Sequence, residues 1–283
     1  MERQQIKNFW RHFKKNQLGV GGLVIIVIVF FIAIFAPFLS LYDPGKTDVS
    51  LKLKPPSFQH YLGTDQLGRD VYSRMLYGSR ISLSVGFVAV GISILIGILV
   101  GAMAGYKGGW VDSLLMRFVD IMLSFPSFFL ILTVVAILRP NIYNVMIVIG
   151  ITSWEGTARF VRAEFLSLRE RDYVQAARAL GVKDRRIIFR HILPNALAPV
   201  FVTASLGVAS AILIEAGLSF LGFGVQPPAP SWGNILTEGR TYIFDAWWLT
   251  VFPGLAILIT VLSFNLFGEG LRDALDPRLR GRR

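Results

Sequence analysis

Apolar residues in this chain gather into long runs separated by charged stretches. Five runs carry no charge: residues 18–41, 81–106, 121–138, 192–214 and 246–268. Each has the ~18 or more residues that a helix needs to cross ~30 Å of hydrocarbon. Runs of this length are too long for strands of a soluble sheet. A sixth run, residues 141–154, is short. It reaches spanning length only if its helix continues past Glu155 toward Arg159. That acid and base stand four apart and can pair on one helix face. The pattern predicts an all-α membrane protein with six transmembrane helices.

Lysine and arginine set the orientation. The N-terminal tail holds Arg3, Lys7, Arg11, Lys14 and Lys15, and the C-terminal tail holds Arg272, Arg278, Arg280, Arg282 and Arg283. Both ends are therefore expected in the cytoplasm, which demands an even number of crossings and supports counting the short fourth run. Residues 159–190, with nine basic residues, also fall inside. Residues 42–80 dissent, because they place six basic residues outside. The first run is too long for the core of a signal peptide and lacks a small-residue cleavage site, so it reads as an uncleaved helix.

Composition agrees. The chain has 283 residues, of which 53% are hydrophobic and only 17% charged, well under the quarter usual in soluble domains. It has no cysteine, which excludes disulfides, thiolate metal sites and cysteine catalysis. His12, His60 and His191 are too far apart in sequence to suggest a metal cluster. A net charge of +11 raises the question of nucleic acid. The basic residues lie beside and between the apolar runs, however, where topology and anionic lipid headgroups account for them.

Residues 1–79 read as a tail, a first membrane helix and an outer loop. Residues 80–270 read as a five-helix core with a cytoplasmic loop at 159–191, and residues 271–283 as a basic cytoplasmic tail. In the outer loop, Asp70 is placed to cap a short helix over 71–77. Gly97, Gly101 and Gly105 form two overlapping GxxxG units, which fit either a close helix–helix approach or ordinary membrane-helix composition. Pro126, Pro194 and Pro199 are expected to kink their helices.

The polar stretch DYVQAARALGVKDRRIIFRHILP, residues 172–194, is too charged to cross the membrane. Residues 172–180 are strong helix formers, and Gly181 is placed to stop them in a left-handed conformation. Asp184 can cap a second helix over 185–191. The result is a helix–turn–helix with a small alanine face, and Arg185 and Arg186 nearby. Two readings fit it. The first helix can enter a groove on a partner, or the pair can rest on lipid headgroups.

The Ala176–Ala177 pair, Gly181 and the sequence HILP at 191–194 resemble the EAA loop of bacterial ABC importer permeases. Gln175 stands where that family most often has Glu. The segments LGTDQLGRDVYSRMLYGSRISL (62–83), LSFLGFGVQPPAPSWGN (218–234) and LFGEGLRDALDPR (266–278) resemble the dipeptide/oligopeptide/nickel group, in its permease type with the short outer loop. The resemblance implies a type I importer permease fold in the bacterial cytoplasmic membrane. It implies a coupling role for Asp172, Gln175, Ala176, Ala177, Gly181, Arg185 and Arg186. The implied partners are a second homologous permease, two ATP-binding subunits that hold ATP and Mg, an extracytoplasmic substrate-binding protein and membrane lipid. No cofactor belongs to this chain. The implied cargo is di- or oligopeptides, with nickel complexes or glutathione as alternatives.

Three acids lie in or near the apolar runs, and such acids are functional candidates. Asp120 has Arg117 three residues before it, and Glu155 has Arg159; local ion pairs are expected for both. Glu215 has no basic neighbour at helical spacing and is expected at the outer end of its helix, as a pathway or outer-gate residue or as a solvated helix end. The proline-rich segment 226–232 suits either docking of a delivery protein or a rigid turn. Gly45, Lys46 and Thr47 lack the glycine and preceding strand of a phosphate-binding loop and read as a turn. A secondary transporter predicts paired mid-membrane charges or inverted repeats, and a membrane enzyme predicts clustered His, Asp or Glu. The sequence shows neither pattern clearly, so no catalytic residue is expected.

Overall fold

The computed structural model describes residues 9–138 and 141–275, which are helical apart from their connections. Most of both basic tails, including Arg3, Lys7, Arg278, Arg280, Arg282 and Arg283, lies outside the described residues. Helix α1 spans Gln17–Leu39 and α2 spans Val71–Lys107. Helices α3 (Gly109–Ser124) and α4 (Ser127–Leu138) follow, then α5 (Ile142–Ile151) and α6 (Glu155–Arg169). The loop helices α7 (Asp172–Ala179) and α8 (Asp184–Ile187) lead through a π-helical turn, Ile188–Ile192, into α9 (Leu193–Phe220). Helices α10 (Trp232–Gly239) and α11 (Trp248–Leu275) close the chain.

Among the described residues, four helices are long and apolar enough to cross a membrane: α1, α2, the Pro199–Phe220 part of α9, and α11. Their surfaces suit lipid. On α1 the buried positions include Gly19, Gly22, Ala33 and Ala36, while Phe31, Ile34 and Phe38 are exposed. Small residues inside and large apolar residues outside are the arrangement expected where helices pack together within hydrocarbon.

Two of the expected spans are broken. Residues 121–138 do not form one straight helix: α3 and α4 meet at 83° around Pro126. Proline has no N–H to continue the ladder and pushes the residue before it out of helical conformation. Phe125 accordingly has φ −92° and ψ 135°. Taken together, α3 and α4 make a fifth apolar span. The short run also stops early. Thr152 ends α5, its backbone N–H and its hydroxyl both bonding to the Val148 carbonyl, and a new helix starts at Glu155. The expected helix running through Glu155 is therefore two helices with a break at 152–154.

The short helix expected at 71–77 is instead the start of α2. Asp70 caps it as expected, accepting from the Ser73 N–H at 2.7 Å, and the helix then passes residues 79 and 80 without interruption to Lys107. The glycine stripe on α2 is a contact surface. A Cβ at Gly97, Gly101 or Gly105 would lie 2.5–2.6 Å from atoms of Thr157, Ala158 and Phe165 on α6. These glycines let α6 lie directly on α2, and that contact supports the loop that follows α6.

Candidate functional site

The loop at 172–194 forms where strong helix formers meet a glycine. Helix α7 ends at Ala179, and Gly181 takes φ +73°, a left-handed value that a side chain disfavours. The Val182 N–H then bonds back to the Ala177 carbonyl at 3.1 Å. The second helix differs from expectation at its start. Asp184 is the first residue of α8 and does not cap it; its carboxylate instead accepts from the Tyr106 hydroxyl at 2.6 Å. That bond ties the loop to the C-terminal end of α2. Arg169 adds a second tie by donating to the Tyr106 carbonyl at 3.1 Å, and the Arg178 guanidinium lies 5.8 Å from the Tyr106 ring centroid.

The predicted residues separate into two groups. Asp172, Ala176, Gly181, Arg185 and Arg186 are exposed. No neighbouring atom lies within 4 Å of where a Cβ of Gly181 would be. Ala177 and Gln175 turn inward. Ala177 is half-buried against a cluster formed by Val161, Phe165, Val174, Ile187 and Ile192. The Gln175 amide donates to the Arg169 carbonyl at 3.0 Å and lies 3.4 Å from the Glu170 carboxylate, closing the end of α6. The outward face of α7 is thus Asp172, Tyr173, Ala176 and Leu180. Leu180 is 84% exposed, a large apolar residue on an otherwise charged surface. Lys183, Arg185, Arg186, Phe189, Arg190 and Pro194 line a basic groove beside it.

The opposite end of the molecule is organised differently. Asp65, Arg69, Arg74 and Glu238 form a buried ionic cluster. The Asp65 carboxylate accepts from Arg69 Nε at 2.6 Å and from Arg74 Nη1. Arg74 also grips Glu238 through both terminal nitrogens, at 2.6 and 3.0 Å, and Arg69 reaches Glu238 at 2.8 Å. Burial alone would raise the Glu238 carboxyl, but the Arg74 and Arg69 guanidinium groups outweigh it and hold the carboxyl below its ordinary range. Beside this cluster, His60 Nδ1 lies 2.8 Å from the Asp70 carboxylate that caps α2. Two of the six basic residues that dissented from the charge rule are therefore paired within the fold. The sequence signal was present in Asp65, Arg69, Asp70 and Arg74, four charges around Gly68. Their partner Glu238 stands 164 positions from Arg74 and gave no local signal.

Glu215 is fully buried rather than solvated at a helix end. It accepts from Ser219 at 2.7 Å and Ser231 at 2.9 Å, with the Ser82 hydroxyl at 3.5 Å. Three hydroxyls from α2, α9 and the segment before α10 enclose it, and it faces no open path in this conformation. The proline-rich segment ends in the same contact: Ser231 caps α10, and the Asn234 amide donates to the Ala229 carbonyl at 2.8 Å.

Both local ion pairs expected for the other acids are replaced. Asp120 pairs with Arg159 on α6, not with Arg117. Arg159 is thereby committed, and Glu155 is left without it. Sequence spacing brings Glu155 and Arg159 within reach, but α3 lies alongside α6 and offers Arg159 a carboxylate on the far side of the helix.

Comparison with known proteins decides the family. The model of the binding-protein-dependent transport system inner membrane component matches residues 97–281, more than half of the chain. The chain belongs to that family. The N-terminal transmembrane domain of oligopeptide transport permease C matches residues 4–56 of the permease. The permease is 48% identical to the dipeptide transport system permease protein of Alkalihalophilus pseudofirmus over 271 residues, covering 96% of this chain and 89% of that protein. It is also 48% identical to the dipeptide transport system permease protein of Escherichia coli K12, covering 97% and 94%. Its fold matches a chain of the MetNI methionine ABC transporter in an inward-facing conformation, with a TM-score of 0.56 over 73% of this chain and 98% of that one, at 19% identity. The permease is a multi-pass, non-catalytic inner-membrane subunit of an ABC importer.

Proposed function

We propose that the permease carries di- or oligopeptides inward as one of two homologous subunits, and that α7 is the helix through which ATP-binding partners drive it. In this reading the two ATP-binding subunits hold ATP and Mg, and a substrate-binding protein delivers cargo from outside. Helices α5 and α6, with their break at 152–154, make up the sixth crossing. The names of the dipeptide permease relatives support peptide as the cargo.

One observation carries the coupling assignment. The outward face of α7 and its turn, comprising Asp172, Ala176, Leu180 and Gly181, is exposed, while the inward face is fixed to α2 and α6 through Val174, Ala177 and Gln175. A push on the outer face therefore reaches α2 and α9 without first deforming the loop. The continuous path from α8 through the π-helical turn into α9 offers a rigid route toward the membrane. The permease contributes positioning and movement, with no covalent step.

Ala176→Trp tests this directly. The residue is exposed, so the change leaves folding within about 0.5 kcal/mol. Co-purification of the ATP-binding subunits and ATP-dependent uptake should both fall, while membrane insertion persists. Normal co-purification and uptake in this variant would overturn the assignment.

A further inference from the structure

A pocket of 420 Å³ opens between α2, the bend joining α3 to α4, α5, α6 and α9, within the ~300–1,000 Å³ range of small-molecule sites. Its α2 lining, Ala89 to Ile94, lies about halfway along the 37 residues of that helix, and its α9 lining, Thr203 to Ile214, includes the middle of that helix. The pocket thus sits near mid-membrane. Glu155 lines it and is 6% exposed. The base nearest to it at helical spacing, Arg159, is bound to Asp120, and no basic side chain lines the pocket. Among the described residues, no ion pair is formed by Glu155.

Three of the seven hydroxyl residues in the pocket wall have their hydrogens committed to backbone. Ser93 donates to the Ser153 carbonyl at 2.7 Å, Thr152 to Val148 at 2.6 Å and Thr203 to Val200 at 2.8 Å. Each has its one hydrogen committed to backbone, leaving lone pairs for a guest. A carboxylate in a pocket that no basic side chain lines favours a cationic donor over an anion.

We propose that Glu155 receives the cationic amino terminus of the substrate as it passes through the permease. This rests on the peptide-importer reading. The α-ammonium supplies three donors to one carboxylate and neighbouring hydroxyl oxygens, and the break at 152–154 places Glu155 at the start of α6, where it lines the pocket.

The test uses the complete importer in proteoliposomes with its ATP-binding subunits and saturating, dialanine-loaded binding protein. Glu155→Gln should lower dialanine uptake about ten-fold or more, the scale of a hydrogen bond to a charged group. Glu155→Asp should retain most of it, and assembly should be unchanged in both. Wild-type uptake by Glu155→Gln overturns the proposal, whereas failure of the unaltered importer to move dialanine overturns the peptide reading instead. A second readout is independent of cargo. The chain has no cysteine, so Ser210→Cys places a single thiol in the pocket wall. With each rate divided by that reagent's rate on a free thiol in solution, a cationic methanethiosulfonate should modify it about ten-fold faster than an anionic one of similar size, through the field of one buried carboxylate. Adding Glu155→Gln should abolish that preference. A thiol with no preference for the cationic reagent, or one whose preference survives loss of the carboxylate, overturns the proposal.

Discussion

The end of the permease that holds Asp65 and Glu238, expected outside, and the loop at 172–194, expected in the cytoplasm, use the same kinds of charged residue in opposite ways. At the first end, Asp65, Arg69 and Arg74 are buried and pair with one another and with the half-buried Glu238. In the loop, Asp172, Arg185 and Arg186 are exposed, and the shape comes from Gly181 and the alanines. Buried charges that pair internally cannot be rearranged cheaply, so they fix the outer loop to α2 and α10. Exposed charges around a small-residue face leave a surface free for another protein. On the proposed coupling role, one end is built to hold still and the other to be gripped.

The strongest way to break this contrast is to remove one member of the outer cluster. Arg74→Met leaves Asp65 and Glu238 with Arg69 as their one remaining shared base, so the loss should approach the ~3–5 kcal/mol that breaking a buried pair costs. Thermal denaturation of the detergent-purified permease should show a large loss. Arg186→Met in the loop should change stability by no more than about 0.5 kcal/mol. Equal effects from the two substitutions would erase the distinction.

Acid should act on the same asymmetry, to a smaller extent. Glu238 is held below the ordinary carboxyl range because Arg74 and Arg69 outweigh its burial. A carboxylate whose folded value is depressed adds stability above its unfolded value of about 4.3, and that stability is lost as pH falls through the folded value. Thermal stability should therefore be level, as far as this group is concerned, from about pH 5 upward and should decline below about pH 4. Glu238→Gln should be less stable at neutral pH and should show a shallower decline in acid. Identical acid profiles for the two proteins would remove Glu238 from the account.

These regions were not equally legible in the sequence. The helix–turn–helix of the loop could be read because its determinants are local: helix formers at 172–180, then Gly181 at the stop. Four of the membrane helices were legible for the same reason, each from its own apolar run, whereas the breaks at Pro126 and at 152–154 were not. Pairings across the fold were not. Arg159 finds Asp120 from 39 positions away, and Arg74 finds Glu238 from 164. Reasoning from i to i+4 assigned Arg159 to Glu155 and Arg117 to Asp120, because it cannot see which helix packs alongside. The same limit hid the inward turn of Ala177. Two adjacent alanines share a composition but lie about 100° apart around a helix of 3.6 residues per turn, and only the position of α6 decides which one meets the partner.

The smallest and sharpest test concerns Gln175, at the border between the anchored and exposed faces of the loop. Its amide N–H₂ donates to the Arg169 carbonyl and approaches the Glu170 carboxylate. A carboxylate in its place has no hydrogen to donate and repels Glu170. Gln175→Glu, which restores the residue more usual in EAA loops, should therefore loosen the end of α6 by about 0.5–1.5 kcal/mol, the scale of one net hydrogen bond. Amide hydrogen exchange across residues 170–181 should speed up a few-fold, with the membrane helices unaffected. Co-purification of the ATP-binding subunits should stay close to normal, because Ala176 and Gly181 keep their outward positions. If Gln175→Glu instead abolishes co-purification, the grip depends on the order of the whole loop rather than on its exposed face. The contrast between a fixed outer end and a presented inner surface would then reduce to two fixed ends, one more easily loosened than the other.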